Sequence, residues 1–496
     1  NRHTVNLFGG METTDIDRSR TRFEGWGLQY GSGEAPFYPY QHFKKSIEEG
    51  NDYYQLVNSN WRTVAFYGNA TYSYRGRYVV NGTYRYEGSN QLGRNTDARW
   101  MSTWNLSGAW NMHEERWFEK LAPLSHLTLR GSYSLTGTPP DPSLVSSTTI
   151  FRNSTPYRLF AADQESGLAI TELGNSLLTY EKKNEFNIGI DAGLWNNRIN
   201  ATLDVYTRNN YDEIGQIVNW GNVAEMKSNG VEFSLTSSNI KQKDFTWSTS
   251  FVFSYTNTEI TKLFNNGRVI DLVSGNGFAM KGYPARALFS VPFLGLNDAG
   301  IPLFRNEKGE VTTDDINFQE RNRTGYLKYE GPTDPKFVGS LGNMFSYKGF
   351  HLNVFLTYSF GGVVRLDPKF RTRYTDMTSM TQTFLNRWMA PGDEKTTNVP
   401  GILSKRQFTQ NRQLRYAYNA YNFSSVRTAK SDFIRLKEIS LSYDLPASLF
   451  KNKGIRDVSV KLQATNLFLL YSDKKLHGQD PEFLNAGGVA SPMPKQ

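Results

Sequence analysis

Phe245-Thr246-Trp247-Ser248-Thr249-Ser250-Phe251-Val252-Phe253-Ser254-Tyr255 separates cleanly into two faces. The odd positions hold Phe245, Trp247, Phe251, Phe253 and Tyr255 with Thr249 between them, while the even ones hold Thr246, Ser248, Ser250 and Ser254 with Val252 as an apolar intruder. A period of two is the strand period, and a helix at 3.6 residues per turn would mix the two sets. The split recurs upstream. Phe186, Ile188, Ile190, Ala192 and Leu194 alternate with Asn187, Gly189, Asp191 and Gly193, and Ile199, Ala201, Leu203 and Val205 alternate with Asn200, Thr202 and Asp204. Between these runs Asn196-Asn197-Arg198 supplies a tight turn, so the pair reads as a hairpin.

Working outward, similar segments are readable at roughly 2–12, 61–75, 77–88, 98–111, 124–136, 226–238, 336–347, 350–364, 431–444 and 455–470, about thirteen in all. Most run longer than the five or six residues usual in soluble sheets and match the 9–11 residues that a tilted strand needs to cross a bilayer. Short connections at 75–77, 195–198, 239–243, 348–349 and 445–454 alternate with long ones near 13–60, 137–176, 260–335 and 365–430. Breaks at 89–97 and 212–225 keep the phase. Segregation of turns and loops to opposite ends is the habit of outer-membrane barrels, with turns periplasmic and loops extracellular. Arg85, Glu87, Arg130, Asp191, Asp204 and Lys461 fall on the polar faces, which in a barrel line a wet lumen while the apolar faces meet lipid. Tyr72, Tyr74, Tyr78, Tyr84 and Tyr86 suit an interfacial girdle. The expected fold is therefore all-β, a transmembrane antiparallel β-barrel, with residues 1–496 forming one partial barrel domain.

Composition narrows the alternatives. The 496 residues contain no cysteine, which removes a disulfide scaffold, and 28 Tyr, 32 Phe and 10 Trp are too many aromatics for a disordered chain. No run reaches the roughly 18 apolar residues of a membrane-spanning helix. The sequence opens inside a strand pattern, so any targeting peptide is expected upstream of it. A formal net charge of +9 is dispersed among acidic residues without a Lys/Arg stripe, which argues against nucleic acid. Attraction to anionic lipopolysaccharide or to an acidic solute is the milder expectation.

Several stretches resemble the barrel of SusC/RagA-type TonB-dependent outer-membrane transporters of Bacteroidetes. They are Leu127-Thr128-Leu129-Arg130-Gly131-Ser132-Tyr133 with Thr136-Gly137, Tyr180-Glu181-Lys182 leading to Asp191, and Asn229-Gly230-Val231-Glu232. Asp334-Pro335-Lys336 with Tyr347-Lys348-Gly349-Phe350 and Phe360-Gly361-Gly362 continue the series. Asp432-Phe433-Ile434-Arg435-Leu436-Lys437, then Asn466-Leu467 with Gly478-Gln479-Asp480-Pro481-Glu482, complete it in order. The resemblance covers most of the sequence. It implies a barrel of about 22 strands, of which about nine are expected outside this sequence, as are the plug and the N-terminal domains. It also implies import of oligosaccharides or oligopeptides, energised by the TonB complex and capped by a SusD-like surface lipoprotein lid.

Catalytic signals are sparse. The six histidines at 3, 42, 113, 126, 351 and 477 are scattered, with no HExxH and no G-x-S-x-G anywhere. Neither cofactor, metal nor enzymatic activity is expected. Asp15 with Asp17 and Asp314 with Asp315 read as solvated loop carboxylates, and the Asn-x-Thr sequons at Asn69, Asn81 and Asn200 fall inside strands. Binding has better support, because aromatic-rich loops can stack on sugars or pack peptide side chains. One long loop carries Trp26, Tyr30, Phe37, Tyr38 and Tyr40; another carries Tyr416, Tyr418, Tyr421 and Phe423 beside Arg412, Arg415, Asn419 and Asn422. Trp26, Tyr38, Tyr40, Tyr416, Tyr418 and Tyr421 are the expected contacts to substrate or lid. A non-transporting adhesin or structural barrel, and a soluble secreted β-rich carbohydrate-active protein, are the competing readings.

Overall fold

The structure is a computed structural model that describes residues 2–23, 40–49, 54–90, 99–139, 149–154, 167–174, 178–216, 220–367, 370–371, 374, 382–450 and 458–482. Thirteen strands make one antiparallel sheet whose spatial order is the chain order. They are β1 (His3–Phe23), β2 (Tyr54–Tyr74), β3 (Tyr78–Ser89), β4 (Trp100–Asn111), β5 (Leu124–Thr138), β6 (Glu181–Leu194) and β7 (Ile199–Gln216). Next come β8 (Trp220–Lys241), β9 (Phe245–Leu263), β10 (Phe337–Tyr347), β11 (Phe350–Phe360), β12 (Phe433–Asp444) and β13 (Ser459–Ser472). Every segment read as a strand has its strand here. The sheet is open, with β1 and β13 at its edges. No helix among the described residues is long and apolar enough to cross a membrane.

Turn chemistry explains the short end. Lys348 (φ 45°) and Gly349 (φ 86°) both take left-handed backbone between the paired Tyr347 and Phe350, as a two-residue hairpin requires. Arg75 and Gly76 do the same between β2 and β3.

The register keeps one polar face continuous from β1 to β13. Thr83 on β3 faces Asn105 on β4, Arg130 on β5 faces Gly189 on β6, and Gly189 faces Asp204 on β7. The opposite face is apolar, and Tyr84, Leu106, Tyr133, Ile188, Val205 and Leu462 are all exposed on it. Rings cover glycines on both faces. On the apolar one, the Tyr358 hydroxyl donates to the Val252 carbonyl at 3.0 Å across Gly339. A Cβ at Gly339 would lie 2.1 Å from that carbonyl oxygen and 2.3 Å from the Tyr358 hydroxyl. Gly339→Ala is therefore expected to cost about 1–3 kcal/mol through overpacking, seen as a lower temperature for the gel-mobility shift of barrel unfolding. An unchanged midpoint would remove the packing role.

The strands outrun their expected ends. β1 continues to Phe23 and β2 begins at Tyr54, so the loop expected over 13–60 contracts to 24–53, and β7 and β8 are separated only by 217–219. The reason is physical: once a hairpin rises out of lipid both faces meet water, hydrophobic alternation stops, and backbone pairing continues without it. β11 instead ends early. Gly361 turns with φ 82°, and Val363–Arg365 leave the sheet to pair with Thr428–Lys430.

The two longest loops, 264–336 and 361–432, pack together into a cluster with its own core. It contains Val269, Leu272, Phe289, Val291, Phe304, Phe370, Phe384, Leu414, Tyr418 and Tyr421. Small antiparallel pairs (Ala287–Ser290 with Lys328–Pro332, and the Phe293–Thr312 meander) give its backbone groups their partners. Both loops enter from the same end of the sheet, which brings the cluster over that end.

Candidate functional site

Two features can meet a solute, the polar face of the sheet and the loop cluster above it. On the polar face charges are paired across strands. Arg130 reaches Asp191 at 2.6 Å and Asp204 at 3.2 Å, and Thr202 donates to Asp191 at 2.9 Å. Arg208 meets Glu185 at 2.7 Å, and Arg85 lies between Glu12 at 2.8 Å and Glu87 at 2.6 Å. An amide and hydroxyl ladder, Asn69 to Thr83 at 2.7 Å and Asn81 to Thr71 at 2.6 Å, continues the pattern. Half-exposed pairs of this kind each stabilise by about 0–1 kcal/mol. Their larger effect is a polar wall whose charges are mutually cancelled.

In the cluster the central side chain is Arg365, 3% exposed. Its guanidinium donates to the carbonyls of Val273 (3.1 Å), Ser424 (2.8 Å) and Phe289 (2.5 Å) and to the Ser290 hydroxyl (3.0 Å), tying both loops together. Burial pulls its pKa down to about 9, with the Glu330 carboxylate opposing that fall, so it stays cationic at neutral pH. Arg427, also buried and shifted down by desolvation, donates to the Asp367 carbonyl at 2.7 Å and lies over the Phe370 ring.

The expected contact residues separate by helical phase. Trp26 and Tyr38 lie outside the described residues. Tyr40 opens α1 (Tyr40–Glu48) and is 71% exposed. After α1 come α2 (Val269–Val273) in the loop 264–336, and α3 (Lys405–Gln410) and α4 (Leu414–Asn422) in the loop 361–432; α4 carries Tyr416, Tyr418 and Tyr421. On α4, Leu414, Ala417, Tyr418 and Tyr421 point into the core at i, i+3, i+4 and i+7. Tyr418 and Tyr421 are each 2% exposed, and their hydroxyls donate to the carbonyls of Gly401 and Asn398. The structure places both of these expected contacts among the packing residues of the cluster core. Asn422 is buried as well, bonded to both backbone groups of Phe370. Tyr416 is the ring that faces solvent, 40% exposed, with Arg415 donating to its hydroxyl at 2.7 Å. Arg412, Arg415 and Asn419 share that exposed side. From Lys395 to Ser431 the sequence has no acidic residue, so the outer side of α3 and α4, with Lys405 and Arg406, is cationic.

Three features were missed by sequence reading. One is Arg365. Another is a latch joining two of the family-like strings: Arg435 on β12 pairs with Asp480 and, at 2.7 Å, with Glu482, which Lys437 also holds at 2.7 Å. The third is a small core in which Leu476 packs with Val364, Leu366 and Ala429. Of the carboxylates read as loop residues, Asp15 and Asp17 lie on β1, where Asp15 pairs with Arg62, while Asp315 pairs with Lys308. The His113 and His126 rings lie 4.8 Å apart, tilted by 54°, and among the described residues no three potential metal ligands converge.

Burial raises the phenol pKa values of Tyr418 and Tyr421 well above the usual range. Unfolded phenols ionise near pH 10 while these stay neutral, so the folded cluster holds protons that the unfolded chain releases. Its stability is intact below about pH 10 and falls above it, by about 1.4 kcal/mol per group per pH unit. Proteolysis of the two loops at pH 9 and 11 should show acceleration at the higher value; equal rates would contradict the burial of both rings.

The family described as TonB dependent receptor-like, beta-barrel matches residues 2–467. TonB-dependent receptor P3 of Formosa agariphila is 26% identical over 453 residues, 84% of this chain and 42% of that protein. TonB-dependent receptor SusC of Bacteroides thetaiotaomicron is 24% identical over 463 residues, 87% of this chain and 42% of that protein. Among solved structures, the RagAB peptide transporter shares the fold with a TM-score of 0.75 at 23% identity, covering 98% of this chain and 51% of that one. The chain thus spans between two-fifths and half the length of these relatives. With nearly every strand of the sheet inside the matched stretch, the chain belongs to the TonB dependent receptor-like β-barrel family of the outer membrane.

Proposed function

We infer that this chain forms the wall and loop end of an outer-membrane importer for oligopeptides or oligosaccharides. The observation that carries the reading is the continuous polar face, with its cross-strand charge pairs, on a sheet whose other face is apolar. That arrangement suits a water-filled passage through lipid and requires no covalent chemistry. The strands that close the barrel, a plug and the contact with the TonB complex belong to parts of the protein beyond this chain, in keeping with relatives about twice as long. A SusD-like lipoprotein lid would sit over the loop cluster, whose packed core offers it a rigid seat. The likeness to a peptide transporter makes peptides the first solutes to try. Deletion of the gene should abolish uptake of labelled oligopeptides or oligosaccharides, and disruption of TonB should do the same. Uptake that survives both would favour a barrel without transport.

A further inference from the structure

The connection between β4 and β5 brings together two histidines that no metal-site spacing in the sequence announces. His113 sits in a single 3₁₀ turn, Met112–Glu114, and His126 is the third residue of β5. Their ring centroids are 4.8 Å apart, with the planes tilted by 54°. Both side chains are half-buried at the short-turn end of the sheet, within reach of water. The turn that carries His113 is held on several sides. Asn111 donates to the Gly76 carbonyl at 2.6 Å and accepts from Thr128 at 3.0 Å, and Glu115 meets Arg77 at 3.0 Å and the Tyr78 hydroxyl at 2.8 Å. Phe118 packs edge-on against the His113 ring.

Each ring has one nitrogen committed to the protein and one left over. Nδ1 of His113 lies 3.1 Å from the Leu127 carbonyl, which can only accept, so Nδ1 carries the proton and Nε2 keeps its lone pair. Thr128 gives its hydroxyl proton to Asn111 and therefore faces Nε2 of His126, 3.4 Å away, as an acceptor. That places the His126 proton on Nε2 and the lone pair on Nδ1. A ring N–H held by a carbonyl or hydroxyl is the outer support with which metal-binding histidines fix tautomer and orientation. Two imidazole nitrogens about 2.1 Å from one ion bring their ring centroids to roughly 5 Å. The Glu114 carboxylate, 3.9 Å from Nε2 of His113, adds negative charge beside the pair. Neutral imidazoles favour zinc and copper over magnesium and calcium, which prefer oxygen ligands.

We propose that His113 and His126 form a two-histidine site for a divalent transition ion of the zinc and copper class, with water completing its coordination. The bound ion ties the 3₁₀ turn to β5, and the site stands apart from the import reading above. Full-length protein purified from outer membranes is stripped with a chelator and titrated calorimetrically with zinc, copper(II) and magnesium chlorides. The wild type should show a zinc and copper site that His113→Gln and His126→Gln each weaken about tenfold or more. His351→Gln should leave that site in place, and magnesium should not distinguish the four proteins. Zinc should also raise the temperature of the gel-mobility shift of barrel unfolding in wild type and in neither site variant. Electron paramagnetic resonance of wild type loaded with one equivalent of copper(II) should show coupling to two imidazole nitrogens, a reading that needs no variant to fold. Zinc and copper isotherms unchanged by both substitutions overturn the proposal. So does a loss with one substitution alone, or coupling to a single nitrogen, either of which assigns the ion to one histidine.

Discussion

Arg365→Met should unfold the loop cluster and leave the strand sheet in place. The guanidinium is the common donor to three carbonyls and one hydroxyl drawn from both loops. Methionine fills much of the volume and donates nothing, so four buried acceptors lose their partner together. Breaking a buried charged network of this kind costs about 3–5 kcal/mol, a large share of what a small packed unit possesses. Arg365→Lys should rescue little, because one compact ammonium cannot span acceptors that a planar fork reaches from Nε, Nη1 and Nη2. Hydrogen exchange in lipid reads the outcome directly. Amides of 264–336 and 361–432 should lose protection while those of β9 to β12 keep it. Retained protection in both loops would mean that the apolar core holds without its clamp.

The second large effect divides the tyrosines of α4. Tyr418→Ala removes a fully buried ring from the cluster core and should cost about 3–5 kcal/mol. Tyr418→Phe keeps the ring and removes only the hydroxyl that serves the Gly401 carbonyl, for about 1–2 kcal/mol. Tyr416→Ala should be neutral for stability, since that ring lies against Arg415 on the solvent side. The comparison is made by loop-cleavage rate, with solute binding measured on the same three proteins. A destabilised Tyr416→Ala beside a stable Tyr418→Ala would reverse the assignment of the two faces.

The barrel strands were legible because lipid on one side and water on the other impose alternation on each strand, and a period of two survives in a single sequence. Their upper ends were illegible for the complementary reason. From Thr13 to Arg22 both faces of β1 are polar apart from Ile16, and nothing in Thr-Asp-Arg-Ser alternation distinguishes a solvated ribbon from a loop. Within the loops, counting aromatics without asking for a helical period mixed Tyr416 with Tyr418 and Tyr421. The spacing Leu414, Ala417, Tyr418, Tyr421 was the available signal, and it separates the buried rings from the exposed one. Arg365 left no comparable trace. Its acceptors lie 59 to 92 positions away in the chain, so no local pattern records them. The latch between Arg435 and Asp480 was half visible: both segments were recognised as family-like strings, and only the fold shows that they touch.

The central claim is that one face of this sheet meets lipid and the other meets water. Residues 1–496 contain no cysteine, so single substitutions on β9 each add the one thiol of this region. Phe251→Cys, Phe253→Cys, Ser250→Cys and Ser254→Cys are introduced into the full-length protein and probed in intact outer membranes. The account predicts that a charged, membrane-impermeant thiol reagent labels positions 250 and 254, while 251 and 253 resist it and a label there is quenched by a lipid-borne probe. Equal labelling of all four positions by the aqueous reagent would contradict it.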